Sequence, residues 1–130
     1  MKKLTLREKI GQMLIIKIFG KEISEKTKQM IEEYKIGGII LYRKNYDTYD
    51  EMIKIINEIK KLNKECGNIP LFISIDQEGG RVNRMPHELK NIKSAWKLVE
   101  QNNIEIIKEA GRTTAKILKD SGFKINYSPV

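Results

Sequence analysis

The chain has 130 residues and a formal net charge of +8, with 25 Lys and Arg against 17 Asp and Glu. This length suits one ordinary domain, and a content of 40% hydrophobic and 32% charged residues is typical of a globular protein. The sequence contains no apolar run of the roughly 18 residues that a transmembrane helix needs, so no membrane partner is predicted. The single cysteine, Cys66, excludes an internal disulfide and fits a reducing compartment.

The positive charge raises the alternative of a nucleic-acid-binding α/β domain. The lysines, however, are scattered through predicted helices and alternate with glutamates, and they form no long block. Blocks or stripes of basic residues are the pattern that indicates nucleic-acid binding. A solvated, lysine-rich surface is therefore favoured, and no nucleic-acid partner is predicted.

Capping signals and apolar periods predict alternating helices and strands in the first half of the chain. Thr5 with Glu8, and Thr48 with Glu51, have the spacing of a capping box, and Ser24 is a third N-cap residue. The helix after Thr48 carries five apolar residues on one face, at helical period: Met52, Ile55, Ile56, Ile59 and Leu62. The predicted elements are helices over residues 5–13, 24–34 and 48–66, and strands over residues 14–19 and 39–42.

The second half continues the alternation. Pro70 opens a third predicted strand over residues 71–75, and a short helix is predicted near residues 92–99, where Trp96 is expected to pack rather than to bind sugar. A long helix over residues 103–120 carries these residues on one face: Ile104, Ile107, Gly111, Thr114 and Leu118. Gly122 ends it, and a fourth strand follows over residues 123–127.

Strands that alternate with helices indicate parallel βαβ units. We therefore expect four parallel strands in the order 1-2-3-4. The side chains that point away from the helices are expected to be Ile15, Ile39 and Ile73 or their alternates.

The segment after the third predicted strand concentrates the polar chemistry of the chain. Leu71 to Ile75 is largely apolar, and an acid, an amide, a second acid, two glycines and two arginines follow it. In a parallel sheet or barrel, ligands bind at the carboxyl ends of the strands. These polar residues are Asp76, Gln77, Glu78, Gly79, Gly80, Arg81 and Arg84.

The segment I-D-Q-E-G-G-R-V with a following Arg resembles the hallmark of the family 3 glycoside hydrolases. The most similar branch is the bacterial β-N-acetylhexosaminidases, the β-N-acetylglucosaminidases of peptidoglycan recycling. Residues 8–14, 36–42 and 122–130 resemble further segments of that family in the same order. The resemblance implies an α/β fold, the N-terminal half of a (β/α)8 TIM barrel. Because a complete barrel needs about 250 residues, residues 1–130 are expected to be an N-terminal portion truncated within the fourth strand region.

The resemblance also implies roles for Asp76 and Arg84, whose counterparts lie at the N-acetylglucosamine unit. A carboxylate at the end of a strand can accept charge-assisted hydrogen bonds from vicinal sugar hydroxyls. The alternative for Asp76 is a helix cap or a structural ion pair with an arginine. Glu78 can pair with either arginine. A catalytic Asp76/Glu78 pair is disfavoured, because carboxylates two residues apart on a turn rarely face opposite sides of one glycosidic bond.

The glycines and Arg81 are expected to support this loop. Gly79 and Gly80 permit positive φ and a close backbone approach. A phosphate-binding turn is the alternative, but the patterns G-x-G-x-x-G and the P-loop are both absent from the sequence. Site-supporting roles are therefore predicted for Glu78, Gly79, Gly80 and Arg81.

By resemblance, the chain is part of a retaining glycoside hydrolase that removes terminal β-linked N-acetylglucosamine in the cytoplasm. The family's nucleophile, acid/base His and its Asp partner come later in the sequence, so no catalytic residue is expected here and the isolated fragment should be inactive and self-associate. His87, the only histidine, does not match the acid/base position and is expected in a surface loop. One His and one Cys predict no metal site, and no cofactor is predicted. Another β-glycosidase and a non-catalytic sugar-binding or interaction module remain alternatives.

Overall fold

A computed structural model describes residues 3–129, in which helices and strands alternate. The helices are α1 Leu6–Gln12, α2 Glu25–Glu32, α3 Tyr49–Glu65, α4 Ala95–Val99 and α5 Ile104–Ser121. The strands are β1 Ile15–Lys17, β2 Gly38–Leu41, β3 Phe72–Ile75 and β4 Ile125–Asn126, and a 3₁₀ turn, Arg43–Asn45, follows β2. Val130, the last residue of the predicted fourth-strand motif, lies outside the described residues.

The helices begin where their capping residues predict. The Thr5 hydroxyl accepts from the Glu8 N–H, and the Thr48 hydroxyl accepts from the Glu51 N–H at 3.2 Å. In each case the glutamate carboxylate accepts a hydrogen bond from the backbone N–H of the capping residue. Because these bonds satisfy donors that no intrahelical carbonyl can reach, they fix the first turns of α1 and α3.

The four strands form one parallel sheet in the order β1-β2-β3-β4, which confirms the predicted topology. The register places Ile16, Ile39 and Ile73 side by side across the first three strands. Ile39 and Ile73 are fully buried, and four of the five residues predicted on the apolar face of α3 are buried with them, while Leu62 is half-buried. The core therefore lies between the sheet and its helices. Because the strands are parallel, their carboxyl ends all lie at the same edge of the sheet.

The opposite face of the sheet is uncovered in this structure. Its register pairs Ile15 with Gly38 and Gly38 with Phe72, and Ile15 and Phe72 are 40% and 52% exposed. Ile15 therefore points away from the helices as predicted, whereas Ile39 and Ile73 face them, so their alternates Gly38 and Phe72 take the outward positions. The sheet is open, and this face carries exposed apolar side chains.

The region of α4 and α5 is less buried than the sequence predicts. In α5 only the C-terminal part is buried: Leu118 is 7% exposed, whereas Ile104 is 60% exposed. Trp96 does not pack, since it is 75% exposed and its indole N–H donates to the Glu100 carboxylate at 2.8 Å. The packing role predicted for Trp96 is wrong because α4 buries no residue at all. Among residues 3–129, no helix combines the length and apolar character of a membrane span.

Candidate functional site

Asp76 and Arg84 meet at the carboxyl edge of the sheet, directly beyond β3. Arg84 Nη2 donates to Asp76 Oδ2 at 2.9 Å, and their side chains are 26% and 24% exposed. The ion pair that the sequence left as an alternative for Asp76 is thus present. It leaves Asp76 Oδ1 and Arg84 Nε without a hydrogen-bond partner among the described residues. Asp76 Oδ1 therefore keeps acceptor capacity for a polar ligand, whereas Arg84 Nε is buried away from solvent.

Tyr42 belongs to the same site, although no pattern in the sequence singles it out. It follows β2 directly, and the Arg84 guanidinium lies 5.6 Å from the centre of its ring. A cation at this distance over an aromatic face is attracted by the ring quadrupole. Tyr42 thus fixes the guanidinium from the β2 side while Asp76 fixes it from the β3 side.

A network of amides holds the loop that returns Arg84 to Asp76. Gln77 is 4% exposed; its Nε2 donates to Asn83 Oδ1 at 2.9 Å, and its Oε1 accepts from the Arg84 backbone N–H at 2.7 Å. On β4, the Asn126 side chain bonds both the N–H and the carbonyl of Gln77, at 2.9 and 3.0 Å. Sequence reasoning gave these amides no role, although Gln77 and Asn126 both lie within the quoted motifs.

Gly79 and Gly80 form a turn whose backbone conformation and close contacts disfavour a residue with a side chain. Gly79 and Gly80 have φ of +83° and +59°, and the Gly80 N–H donates to the Ile92 carbonyl at 2.8 Å. A Cβ on Gly79 would lie 2.5 Å from the Ile92 oxygen. The expected positive φ and close backbone approach are therefore present, and the backbone that the glycines approach is that of the loop containing Ile92.

Three other polar residues stand apart from this network. Glu78 forms no ion pair with another residue of the described range, so it pairs with neither arginine. Arg81 is exposed and makes no side-chain hydrogen bond or ion pair within residues 3–129. His87 is exposed in the loop before α4, as predicted. Within the same range, no group of three His, Cys, Asp or Glu side chains is placed to hold a metal ion.

Tyr46 is a buried phenol that is close enough to Arg43 and Arg84 to be influenced by their charges. Tyr46 is fully buried, and its hydroxyl has no hydrogen-bond partner among the described residues. Burial raises the pKa of Tyr46 above its ordinary value, and the positive charges of Arg43 and Arg84 act in the opposite direction. Tyr46 therefore stays neutral and adds no negative charge that would compete with Asp76 for the guanidinium.

Comparison with known proteins gives one consistent family. Residues 5–130 match the glycosyl hydrolase family 3 N-terminal domain. The chain is 30% identical over 118 residues to a β-hexosaminidase of Photobacterium profundum, covering 90% of this chain and 34% of that protein. The chain therefore spans about a third of the length of the curated relatives it matches.

Two solved structures share the fold. A family 3 β-N-acetylglucosaminidase from Paenibacillus sp. FPU-7 superposes with a TM-score of 0.92 at 32% identity, over 98% of this chain and 24% of that one. NagZ from Neisseria gonorrhoeae, solved in complex with N-trifluoroacetyl-D-glucosamine, gives a TM-score of 0.73 at 25% identity, over 89% and 35% of the two chains. The predicted fold class is confirmed by these structures.

Proposed function

Since the chain belongs to glycosyl hydrolase family 3 through its N-terminal domain, we propose that it supplies the sugar-binding edge of a retaining β-N-acetylglucosaminidase. The substrate is a terminal β-linked N-acetylglucosamine unit. Relatives described as β-hexosaminidase and β-N-acetylglucosaminidase support this assignment, as does the glucosamine derivative bound to the Neisseria protein.

The observation that carries the proposal is the preformed pair of Asp76 and Arg84. Asp76 Oδ1 can accept hydrogen bonds from sugar hydroxyls while Oδ2 remains with Arg84. The Arg84 fork has further donors that can reach a hydroxyl or carbonyl oxygen. Because the two charges already compensate each other, the site can stay half-buried without a bound ligand.

The two residues bind and orient the sugar, and the bond-breaking groups come from elsewhere. Asp76 is engaged by Arg84, and Glu78 lies two residues away on the same turn, so the two carboxylates are not arranged as an opposed catalytic pair. We infer that the nucleophile and the acid/base lie in sequence beyond these residues, which cover about a third of the curated relatives. The isolated chain should then hydrolyse no glycoside.

The cellular role proposed with this activity is the turnover of peptidoglycan fragments in the cytoplasm. The single, unpaired Cys66 fits a reducing compartment. Of the site-supporting roles proposed for Glu78, Gly79, Gly80 and Arg81, that of the glycine turn has direct structural support, whereas Glu78 and Arg81 form no ion pair within residues 3–129.

Kinetics of the full-length protein on a chromogenic β-N-acetylglucosaminide test the proposal. Asp76→Asn and Arg84→Ala should each lower kcat/KM by about 10- to 150-fold, because a hydrogen bond to a charged group contributes about 1.5–3 kcal/mol. Arg112→Ala is the matched control, since Arg112 also pairs with a carboxylate but lies exposed on α5. Unchanged kcat/KM in both site variants would show that the pair is purely structural.

The same preparation separates the alternatives. A panel of chromogenic β-glycosides identifies the preferred sugar, and a preference for a sugar without the N-acetyl group would indicate another β-glycosidase. Binding of N-acetylglucosamine without turnover of any member of the panel would indicate a sugar-binding module.

A further inference from the structure

Lys60 is a half-buried lysine that has no partner for its charge. It lies in the C-terminal half of α3, one turn after Ile56, which is 1% exposed. Within residues 3–129, its ammonium forms no hydrogen bond and no ion pair. The next residue of the helix, Lys61, is exposed and lies 3.8 Å from the Glu65 carboxylate. Two neighbouring lysines of one helix therefore have different electrostatic surroundings.

The ammonium of Lys60 lies against the backbone that ends α5. Gly122 is the C-cap residue of α5 and has a φ of +93°. A Cβ placed on Gly122 would overlap Lys60 Nζ, and it would lie 3.5 Å from the Ile56 side chain. A side chain at this position would displace the ammonium, so the glycine leaves the space that Lys60 Nζ occupies. The Lys60 side chain thus lies between α3 and the end of α5.

A second lysine acts on the same ammonium. Lys124 directly precedes β4, and its backbone N–H donates to the Ile73 carbonyl at 2.8 Å. Its side chain is exposed and has no hydrogen-bond or ion-pair partner in the described part of the chain. Burial lowers the pKa of Lys60, and the positive charge of Lys124 lowers it further. Because both effects disfavour the charged form, a larger fraction of Lys60 is the neutral amine than at an ordinary surface lysine.

A neutral amine beside a second cation is suited to attack an activated, anionic acyl donor. The neutral amine is the nucleophile, and a lysine is activated by desolvation or by a neighbouring cation. The charge of Lys124 also attracts a phosphate group to the same place. We propose that Lys60, beside Lys124, is a preferred site of acetylation by an acyl phosphate.

The reaction is an acyl transfer that needs no other reactant. Lys60 Nζ forms a bond to the acyl carbon while the bond between that carbon and the phosphate oxygen breaks. The phosphate leaves with the electron pair of the broken bond and takes up the proton that the amine loses. The product is a neutral amide, so acetylation removes the repulsion between Lys60 and Lys124. Because α3 runs from the end of β2 back to the start of β3, this site is separate from Asp76 and Arg84, and its test needs no glycosidase activity.

Competitive labelling of the full-length protein tests the proposal. The folded protein reacts briefly with acetyl phosphate and is then unfolded in urea, where isotopically heavy acetic anhydride acetylates the remaining amines. The ratio of light to heavy acetyl groups at each lysine, read from peptide fragment masses, gives its relative rate. Lys60 should react about two- to fivefold faster than Lys61, because a nearby surface charge changes the equilibrium between ammonium and amine by about that factor.

Two controls separate the folded surroundings from the local sequence. In protein unfolded before the first labelling step, Lys60 and Lys61 should react equally. Lys124→Gln should lower the rate at Lys60 about two- to fivefold without changing that at Lys61, whereas Lys119→Gln, which removes an exposed lysine from the last turn of α5, should change neither rate.

Three results overturn the proposal. Equal rates at Lys60 and Lys61 in the folded protein would show that Lys60 is not preferred. A preference for Lys60 that persists in the unfolded protein would assign it to the local sequence. A rate at Lys60 that Lys124→Gln leaves unchanged, in a variant whose circular dichroism matches that of the wild type, would show that the second lysine plays no part.

Discussion

Replacing Gln77 with alanine tests whether the amide network holds the loop after β3. Gln77 is 4% exposed and makes two side-chain hydrogen bonds, to Asn83 Oδ1 at 2.9 Å and from the Arg84 backbone N–H at 2.7 Å. Alanine removes both bonds and leaves the Arg84 N–H without its acceptor. Because the same residue carries the guanidinium that reaches Asp76, the change should also loosen the proposed sugar site.

The expected loss of stability follows from these contacts. Each lost hydrogen bond contributes about 0.5–1.5 kcal/mol net, and the half-buried donor that stays unpaired adds to the cost, so the free energy of unfolding should fall by about 2–4 kcal/mol. For a chain of this size, 1 kcal/mol corresponds to roughly 4 °C in Tm. The Tm of Gln77→Ala should therefore be about 8–16 °C below that of the wild type.

Thermal unfolding followed by circular dichroism measures the effect. Gln101→Ala is the control, because exposed Gln101 also donates one side-chain hydrogen bond, to the Lys97 carbonyl at 3.0 Å, and its loss should change Tm by no more than about 2 °C. Adding Asn83→Ala to Gln77→Ala should cost less than the sum of the two single changes, since they share a bond. A Tm of Gln77→Ala equal to that of the control would refute the structural role of the network.

Three further outcomes are expected. Gly79→Ala should destabilise strongly in urea, because its Cβ meets the Ile92 oxygen at 2.5 Å, whereas Gly20→Ala, with a similar φ of +76° and open space, should lose only about 1–2 kcal/mol. Backbone hydrogen bonds from Asp47 and Thr48 lower the pKa of Glu51, so the stability difference between the wild type and Glu51→Gln should be present above the ordinary glutamate pKa and vanish as the pH falls through the lowered one. The isolated chain should elute as a dimer or larger species in size-exclusion chromatography with light scattering, because β1 and β4 are open edges and the uncovered face is apolar; a stable monomer would contradict this.

The elements that the sequence predicted well are those with local causes. The start of α3 depends on Thr48 and Glu51, three residues apart, and its buried face follows from the helical period alone. The order of the strands follows from the alternation of β and α with short connections. Asp76 falls at the edge of the sheet simply because the apolar run ends before it.

The features that escaped the sequence analysis depend on contacts between distant segments. Gln77 is buried because Asn126 lies beside it, and these residues are 49 positions apart. The ring of Tyr42 contacts the guanidinium of Arg84, which lies in the loop after a different strand, β3. The exposure of Trp96 could not be predicted, because no local pattern in the sequence shows that α4 buries none of its residues.

The ion pair between Asp76 and Arg84 limits what that pair can contribute to affinity. Because each side chain already satisfies the other at 2.9 Å, a bound sugar adds hydrogen bonds in exchange for those it made with water, and each such exchange contributes modestly. The same preformed geometry costs little reorganisation on binding, and it penalises any sugar that lacks a matching hydroxyl. In the proposed site, Asp76 and Arg84 therefore contribute more to selecting the sugar than to the affinity for it.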